Sequence, residues 1–280
     1  MEKIQSAIAK ARDARSKLAP AGGDSPGAAP DQRRPAAYGA AGAVPAVWAA
    51  LPAFVPNAPL LVRNRIVTHA GGAEAVDFDV MRTRLLQQMR ANGWRRVAVT
   101  SPGASCGKTT IVLNLGFSLA RQADTRTVVA ELDLRRPSIA RTLGLKPRAG
   151  FAGVLTGEAA FEDCVSCYNG NLAIATNQGP VRNSAELLAG PTVAAALSDI
   201  ESRYDPTLMI VDMPPMLVSD DVMAFAGQVD CVLLVAAAES STIKEIDACE
   251  RDLAAQTNVL GVVLNKCRYT ERSAGYGAYG

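Results

Sequence analysis

The sequence predicts a doubly wound α/β domain with a mainly parallel sheet and helices on both faces, and three observations predict it. Short, nearly continuous apolar runs alternate with helix-length segments, and strands apolar on both sides need a helical layer above and below. One run passes through a turn of small residues straight into a helix. Two others end in carboxylates. The chain can supply such a core, since 49% of its 280 residues are hydrophobic and 20% are charged.

The elements follow in order. Residues 1–18 place Ile4, Ala7, Ile8, Ala11 and Leu18 near one helical face, which predicts a short amphipathic helix. Residues 19–59 are dominated by Ala, Gly and Pro and read as a flexible linker. Its most apolar window, Ala41 to Val62, contains Pro45, Pro52, Pro56 and Pro59, which would break a membrane-spanning helix. The folded domain is expected over 60–268. It opens with a helix over Asp77–Asn92, periodic through Phe78, Met81, Leu85 and Met89 and stopped by Gly93. Strands are expected in RRVAVTS, TVVAELD, LAIAT, LMIVD, CVLLVAAA and VLGVVLN, and further helices over Thr109–Arg121, Pro191–Arg203 and Thr242–Gln256. Residues 269–280 form a Tyr/Gly-rich tail.

Composition removes several classes of function. A net charge of +2 with scattered basic residues gives no footprint for nucleic acid. The six cysteines have no framework spacing and fit free thiols in a reducing compartment. Cys164 and Cys167 form a lone C-x-x-C in a chain with one histidine, His69, which falls short of a zinc site. Charges at Glu2, Lys3, Lys10 and Arg12 interrupt any secretory apolar core, so a cytoplasmic location is expected.

The chemistry centres on TSPGASCGKTT, Thr100 to Thr110, which lies between the strand VAVTS and the helix KTTIVLNLGFSLA. That order defines a phosphate-binding loop, whose free backbone N–H groups and helix dipole face an anion. Gly103, Ala104, Ser105, Cys106 and Gly107 form the expected cradle, although Pro102 occupies the place of the usual first glycine. Lys108 would reach the β- and γ-phosphates, Thr109 would offer its hydroxyl to Mg²⁺, and Thr110 would meet a more distal phosphate oxygen. Glu131 and Asp133, in VVAELDLRRP, and Asp212, in LMIVDMPP, end two strands at the carboxyl edge of the sheet. All three are expected to face the same crevice. Asn265-Lys266-Cys267-Arg268 lacks the aspartate that reads guanine in N-K-x-D, which disfavours GTP.

These motifs resemble those of the bacterial P-loop tyrosine kinases of exopolysaccharide and capsule synthesis. SPGASCGKTT is similar to their Walker A, AELDLRRP to Walker A′ and IVDMPPML to Walker B, with support from MRTRL, GFAGVLTGEAAFEDCV, NSAELLAG and GVVLN over about residues 77–280. The resemblance implies ATP and Mg²⁺ as ligands. Lys108, Asp133 and Asp212 become the catalytic set, and Thr109, Asp133 and Asp212 the metal set. Asp133 would be the base and Asn265 would approach the nucleotide base. The acceptors would be Tyr269, Tyr276 and Tyr279, and the partner a membrane polysaccharide co-polymerase at the inner face of the plasma membrane. Ser105 replaces a flexible glycine of the family, Glu131 its first Walker A′ aspartate and Met213 its Walker B threonine. Val76 and Asp79 break the Glu-x-x-Arg-x-x-Arg pattern used for ring assembly, which counts against a ring and leaves a homo-oligomer open. Two alternatives remain: a catalytically weak nucleotide-binding regulatory subunit of the export complex, and a Min/Par-type ATPase switch, whose signature lysine is replaced here by Gly103.

Overall fold

The computed structural model describes residues 44–267. The expected helix over 1–18, the linker up to residue 43, and the tail with Tyr269, Tyr276 and Tyr279 lie outside the described residues.

Seven described strands form one sheet: β1 (Arg96–Thr100), β2 (Thr127–Glu131), β3 (Val165–Tyr168), β4 (Leu172–Ala175), β5 (Leu208–Asp212), β6 (Cys231–Ala237) and β7 (Asn258–Asn265). Their order is β3-β4-β2-β5-β1-β6-β7. Every pairing is parallel except β3 with β4. The helices are α1 (Ala46–Ala49), α2 (Ala58–Arg63), α3 (Val76–Asn92), α4 (Lys108–Ala120), α5 (Ile139–Leu143), α6 (Phe151–Thr156), α7 (Phe161–Cys164), α8 (Ser184–Leu188), α9 (Thr192–Tyr204), α10 (Asp221–Phe225) and α11 (Ile243–Ala254).

The two-residue period of a strand divides each apolar run between two cores. Val128, Ala130, Met209, Val211, Val232 and Leu234 face one core, with Phe151, Leu197, Phe225 and Leu253 from α6, α9, α10 and α11. Val97, Val99, Leu208, Ile210, Leu233 and Val235 face the other, with Leu61, Leu86, Phe117 and Leu143 from α2, α3, α4 and α5. The fold is therefore the doubly wound α/β architecture of a P-loop NTPase. The long helices stand where periodicity and caps place them. α3 ends at Gly93, whose φ of 67° is the left-handed stop that glycine makes without a steric cost. Thr242 and Glu245 form a capping box at the start of α11.

Two features differ from the sequence expectation. β3 was not expected, because its four residues alternate buried and half-exposed and carry no apolar run; it is the antiparallel edge strand. The linker also ends earlier than residue 59. Trp48 is 1% exposed and joins the first core, and its Nε1 donates to the Tyr204 carbonyl at 2.7 Å. Phe54 N donates to Cys167 O and Cys167 N to Pro52 O, each at 2.7 Å, so this segment straps the edge of the sheet. Pro52 suits this extended strap, since half of an edge strand's N–H groups go unpaired anyway, while Pro45 precedes α1 and Pro59 lies in the first turn of α2. Cys164 and Cys167 are core residues beneath that strap, and burial pushes their thiols up to about 12 and about 11 respectively. Among the described residues no helix is long and apolar enough to cross a membrane.

Candidate active site

At the carboxyl end of the sheet, residues 101–107 leave β1 and turn into α4 with two left-handed residues, Ser105 at φ 60° and Gly107 at φ 91°. Ser101 Oγ donates to Gly103 O at 2.6 Å, and Asn265 Nδ2, at the end of β7, donates to Cys106 O at 2.9 Å. A Cβ on Gly107 would come within 2.3 Å of that Asn265 nitrogen. Only glycine satisfies both the turn and this close approach. Lys108 is 6% exposed and opens α4, with its backbone N–H groups toward the cleft.

The phosphate loop and the carboxylate at the end of β5 meet at Thr109. Its hydroxyl donates to Asp212 Oδ2 at 2.7 Å, while Asp212 Oδ1 is buried with no hydrogen-bond partner. Burial pushes this carboxyl up to about 7, against the opposing pull of Lys108 and the Thr109 hydroxyl. An orphaned buried oxygen is costly unless something completes it. A carboxylate, a hydroxyl and a phosphate loop are the hard oxygen donors that Mg²⁺ takes, with water and phosphate filling the remaining positions. No group of three His, Cys, Asp or Glu side chains among the described residues could hold an ion; a P-loop site, in which the nucleotide supplies ligands, needs no such group. The residues present therefore fit Mg²⁺ with a nucleotide.

A cleft of about 530 Å³ lies over these groups, within the size range of small-molecule sites. Its floor is the phosphate loop and the start of α4, with Ala104, Ser105, Gly107, Lys108, Thr109 and Thr110. One wall is the loop after β2, with Asp133, Arg135, Arg136 and Ser138, and another the loop after β5, with Pro214, Pro215, Val218 and Ser219. Asp133 is half-buried, and burial holds its carboxyl above the ordinary range against the pull of Lys108. Its Oδ1 accepts from Arg136 N at 3.1 Å.

Three expectations change at the level of side chains. Glu131 turns away from the cleft: Oε1 accepts from the backbone N–H of Ser138 at 2.6 Å and Ile139 at 2.7 Å, and Oε2 from that of Asn177 at 2.9 Å. Its extra methylene lets the carboxylate reach past the strand end and pin the start of α5. Asn265 is bonded to Cys106 O of the phosphate loop and is not among the residues that line the cleft. Gly103 and Cys106 are also outside the lining; the buried Cys106 thiol donates to Gly103 O at 3.3 Å. Arg135, Ser138, Pro215 and Ser219 are lining residues that sequence reasoning did not single out, although the R-R-P and P-P of the two acidic motifs signalled them.

No protein-family model matches the sequence. EpsB of Ralstonia solanacearum is 31% identical over 201 residues, which are 71% of this chain and 26% of EpsB. The tyrosine-protein kinase YwqD of Bacillus subtilis is 26% identical over 188 residues, 66% of this chain and 78% of YwqD. The crystal structure of the VpsO kinase domain is 30% identical, with a TM-score of 0.62 over 74% of this chain and 98% of that domain. The chain belongs to the bacterial tyrosine-protein kinase family. The kinase domain of Escherichia coli ETK matches at 24% identity and a TM-score of 0.65 over 81% of this chain and 86% of that domain, which agrees on the fold. The chain spans about a quarter of the length of the EpsB relatives. In this chain Lys108, Thr109 and Asp133 line one cleft, Asp212 is bonded to Thr109, and Glu131 is bonded to backbone N–H groups outside it.

Proposed function

We propose that the chain is an ATP- and Mg²⁺-dependent protein-tyrosine kinase that modifies tyrosines of its own kind and regulates exopolysaccharide or capsule synthesis. The observation that carries this reading is a cleft lined by Lys108, Thr109 and the half-buried Asp133, with the Thr109 hydroxyl bonded to the buried Asp212, whose second oxygen has no partner. Lys108 and the backbone N–H groups of the loop would hold the β- and γ-phosphates and offset charge during transfer. Thr109 and Asp212 would hold Mg²⁺, which when bound neutralises phosphate charge. A tyrosine hydroxyl with a pKa near ~10 would give its proton to Asp133 as its oxygen bonds to the γ-phosphorus and ADP departs. A carboxylate raised by burial accepts that proton better than an ordinary one.

Tyr269, Tyr276 and Tyr279 are the proposed acceptors. A membrane polysaccharide co-polymerase is the proposed activator, and it would bring the chain to the inner face of the plasma membrane. A regulatory subunit with weak catalysis is favoured by one observation, the commitment of Glu131 to backbone N–H groups, which leaves Asp133 as the only carboxylate lining the cleft among the described residues, with Asp212 buried behind Thr109. Phosphosite mapping in the native cells, wild type against Lys108→Ala, separates the two. Phosphate on the tail tyrosines that vanishes in the variant supports the kinase; unmodified tyrosines in both, with ATP bound by the wild type, support the regulator.

A further inference from the structure

Beside the cleft, the first residue of α10 is a fully buried carboxylate, Asp221. It accepts four hydrogen bonds from three separate segments. Arg135 Nε donates to Oδ2 at 2.7 Å and Arg135 Nη2 to Oδ1 at 3.4 Å. Ser184 Oγ, at the start of α8, donates to Oδ1 at 2.6 Å, and Ser219 Oγ, from the loop after β5, to Oδ2 at 2.8 Å. A buried charge is tolerated only when paired and hydrogen-bonded; here both oxygens are satisfied twice.

The pair is lopsided in a way that points outward. Asp221 has no exposure, whereas the Arg135 side chain is 47% exposed and lines the cleft. Nη2 also makes a 3.5 Å ion pair with the exposed Asp220, and Nη1 is left without a partner among the described residues. A guanidinium is a rigid planar fork, so fixing one edge fixes the direction of the other. Arg135 belongs to the wall of the loop after β2, across the cleft from a floor where Lys108 and the loop N–H groups would hold the β- and γ-phosphates. The phosphate that emerges furthest from the cradle is the terminal one, and it carries the most charge.

We infer that Arg135 recognises the terminal phosphate of the bound nucleotide, and that Asp221 is the positioning residue that aims it. This rests on the nucleotide-binding part of the function proposed above. Pre-setting the guanidinium removes the ordering cost a free arginine would carry into binding. The pairing also ties terminal-phosphate recognition to Ser219, hence to the loop that leaves β5 directly after Asp212.

Calorimetric titration of the full chain with Mg²⁺ and either ADP or a non-hydrolysable ATP analogue tests this without relying on phosphotransfer. The wild type should prefer the ATP analogue. Arg135→Ala should weaken the analogue by about tenfold or more while leaving ADP within about twofold, the worth of one charge-assisted hydrogen bond. Asp221→Asn should cause the same selective loss and add nothing in an Arg135→Ala background, since the two act as one unit. If Asp221→Asn does not fold, Arg135→Lys carries the test, because lysine cannot keep two bonds to Asp221 and should lose most of the preference for the analogue. An unchanged ATP-to-ADP preference in Arg135→Ala overturns the inference alone. Failure of the wild type to bind either nucleotide overturns the nucleotide reading and the inference with it.

Discussion

Asp212→Asn should make the ligand-free protein more stable at alkaline pH and less able to bind Mg²⁺-nucleotide. Asp212 is fully buried, its Oδ1 has no partner, and burial raises its carboxyl from 3.8 to about 7. Its folded pKa lies above its unfolded one, so the native state holds a proton that the unfolded chain releases. Stability is therefore lost as pH rises from 3.8 to about 7 and stays lost above that. At 1.36 kcal/mol per unit the full loss is about 4 kcal/mol, and the part between pH 5 and pH 8 is roughly 2–3 kcal/mol. Asparagine removes the charge and can still accept from Thr109, but its amide replaces the orphaned oxygen with an orphaned donor that costs about 1–3 kcal/mol. A net gain of ~1–3 kcal/mol at pH 8 should remain, a rise of several degrees in Tm for a domain of this size. Urea unfolding of the metal-free, nucleotide-free protein at pH 5 and pH 8 measures it. A variant whose stability difference from wild type is the same at both pH values would refute the argument, because the ionisation would then cost nothing in the fold. The expected trade, stability gained as ligand binding is lost, is common at functional sites.

Three further outcomes are expected. Ser105→Gly should raise stability by up to about 1 kcal/mol in the same assay, since a φ of 60° strains serine by roughly 1–2 kcal/mol and glycine returns part of this as entropy; a loss would mean that the serine side chain holds the loop. Gly107→Ala should lower nucleotide affinity by at least about tenfold by titration, because the new Cβ meets Asn265 Nδ2 and the φ of 91° is hostile to alanine; adding Asn265→Ala should relieve the clash and not the backbone strain. Trp48→Ala should cost about 3–5 kcal/mol in unfolding free energy, given its burial and its bond to Tyr204 O; a cost under about 1 kcal/mol would return residues 44–57 to the linker.

Local chemistry made most of this protein legible in one dimension. Strands buried on both faces need continuous apolar runs, so six of the seven described strands announced themselves, and Gly93 marked a helix end because caps act within a turn. The phosphate loop and its companions Lys108, Thr109, Asp133 and Asp212 were readable for the same reason, as each stands at the end of a strand or the start of a helix whose position the pattern defines. Side-chain commitments between distant segments were not readable. Whether Glu131 faced the cleft depended on backbone N–H groups at 138, 139 and 177, the bond from Asn265 to the Cys106 carbonyl depended on where the end of β7 lies beside the phosphate loop, and Trp48 looked like linker until α9 was placed beside it. Asp221 is the same case: residues 135, 184 and 219 converge on it with four hydrogen bonds. A hydrogen bond is set by distances of a few tenths of an ångström and by direction, and only the packed tertiary structure decides those for residues far apart in the chain.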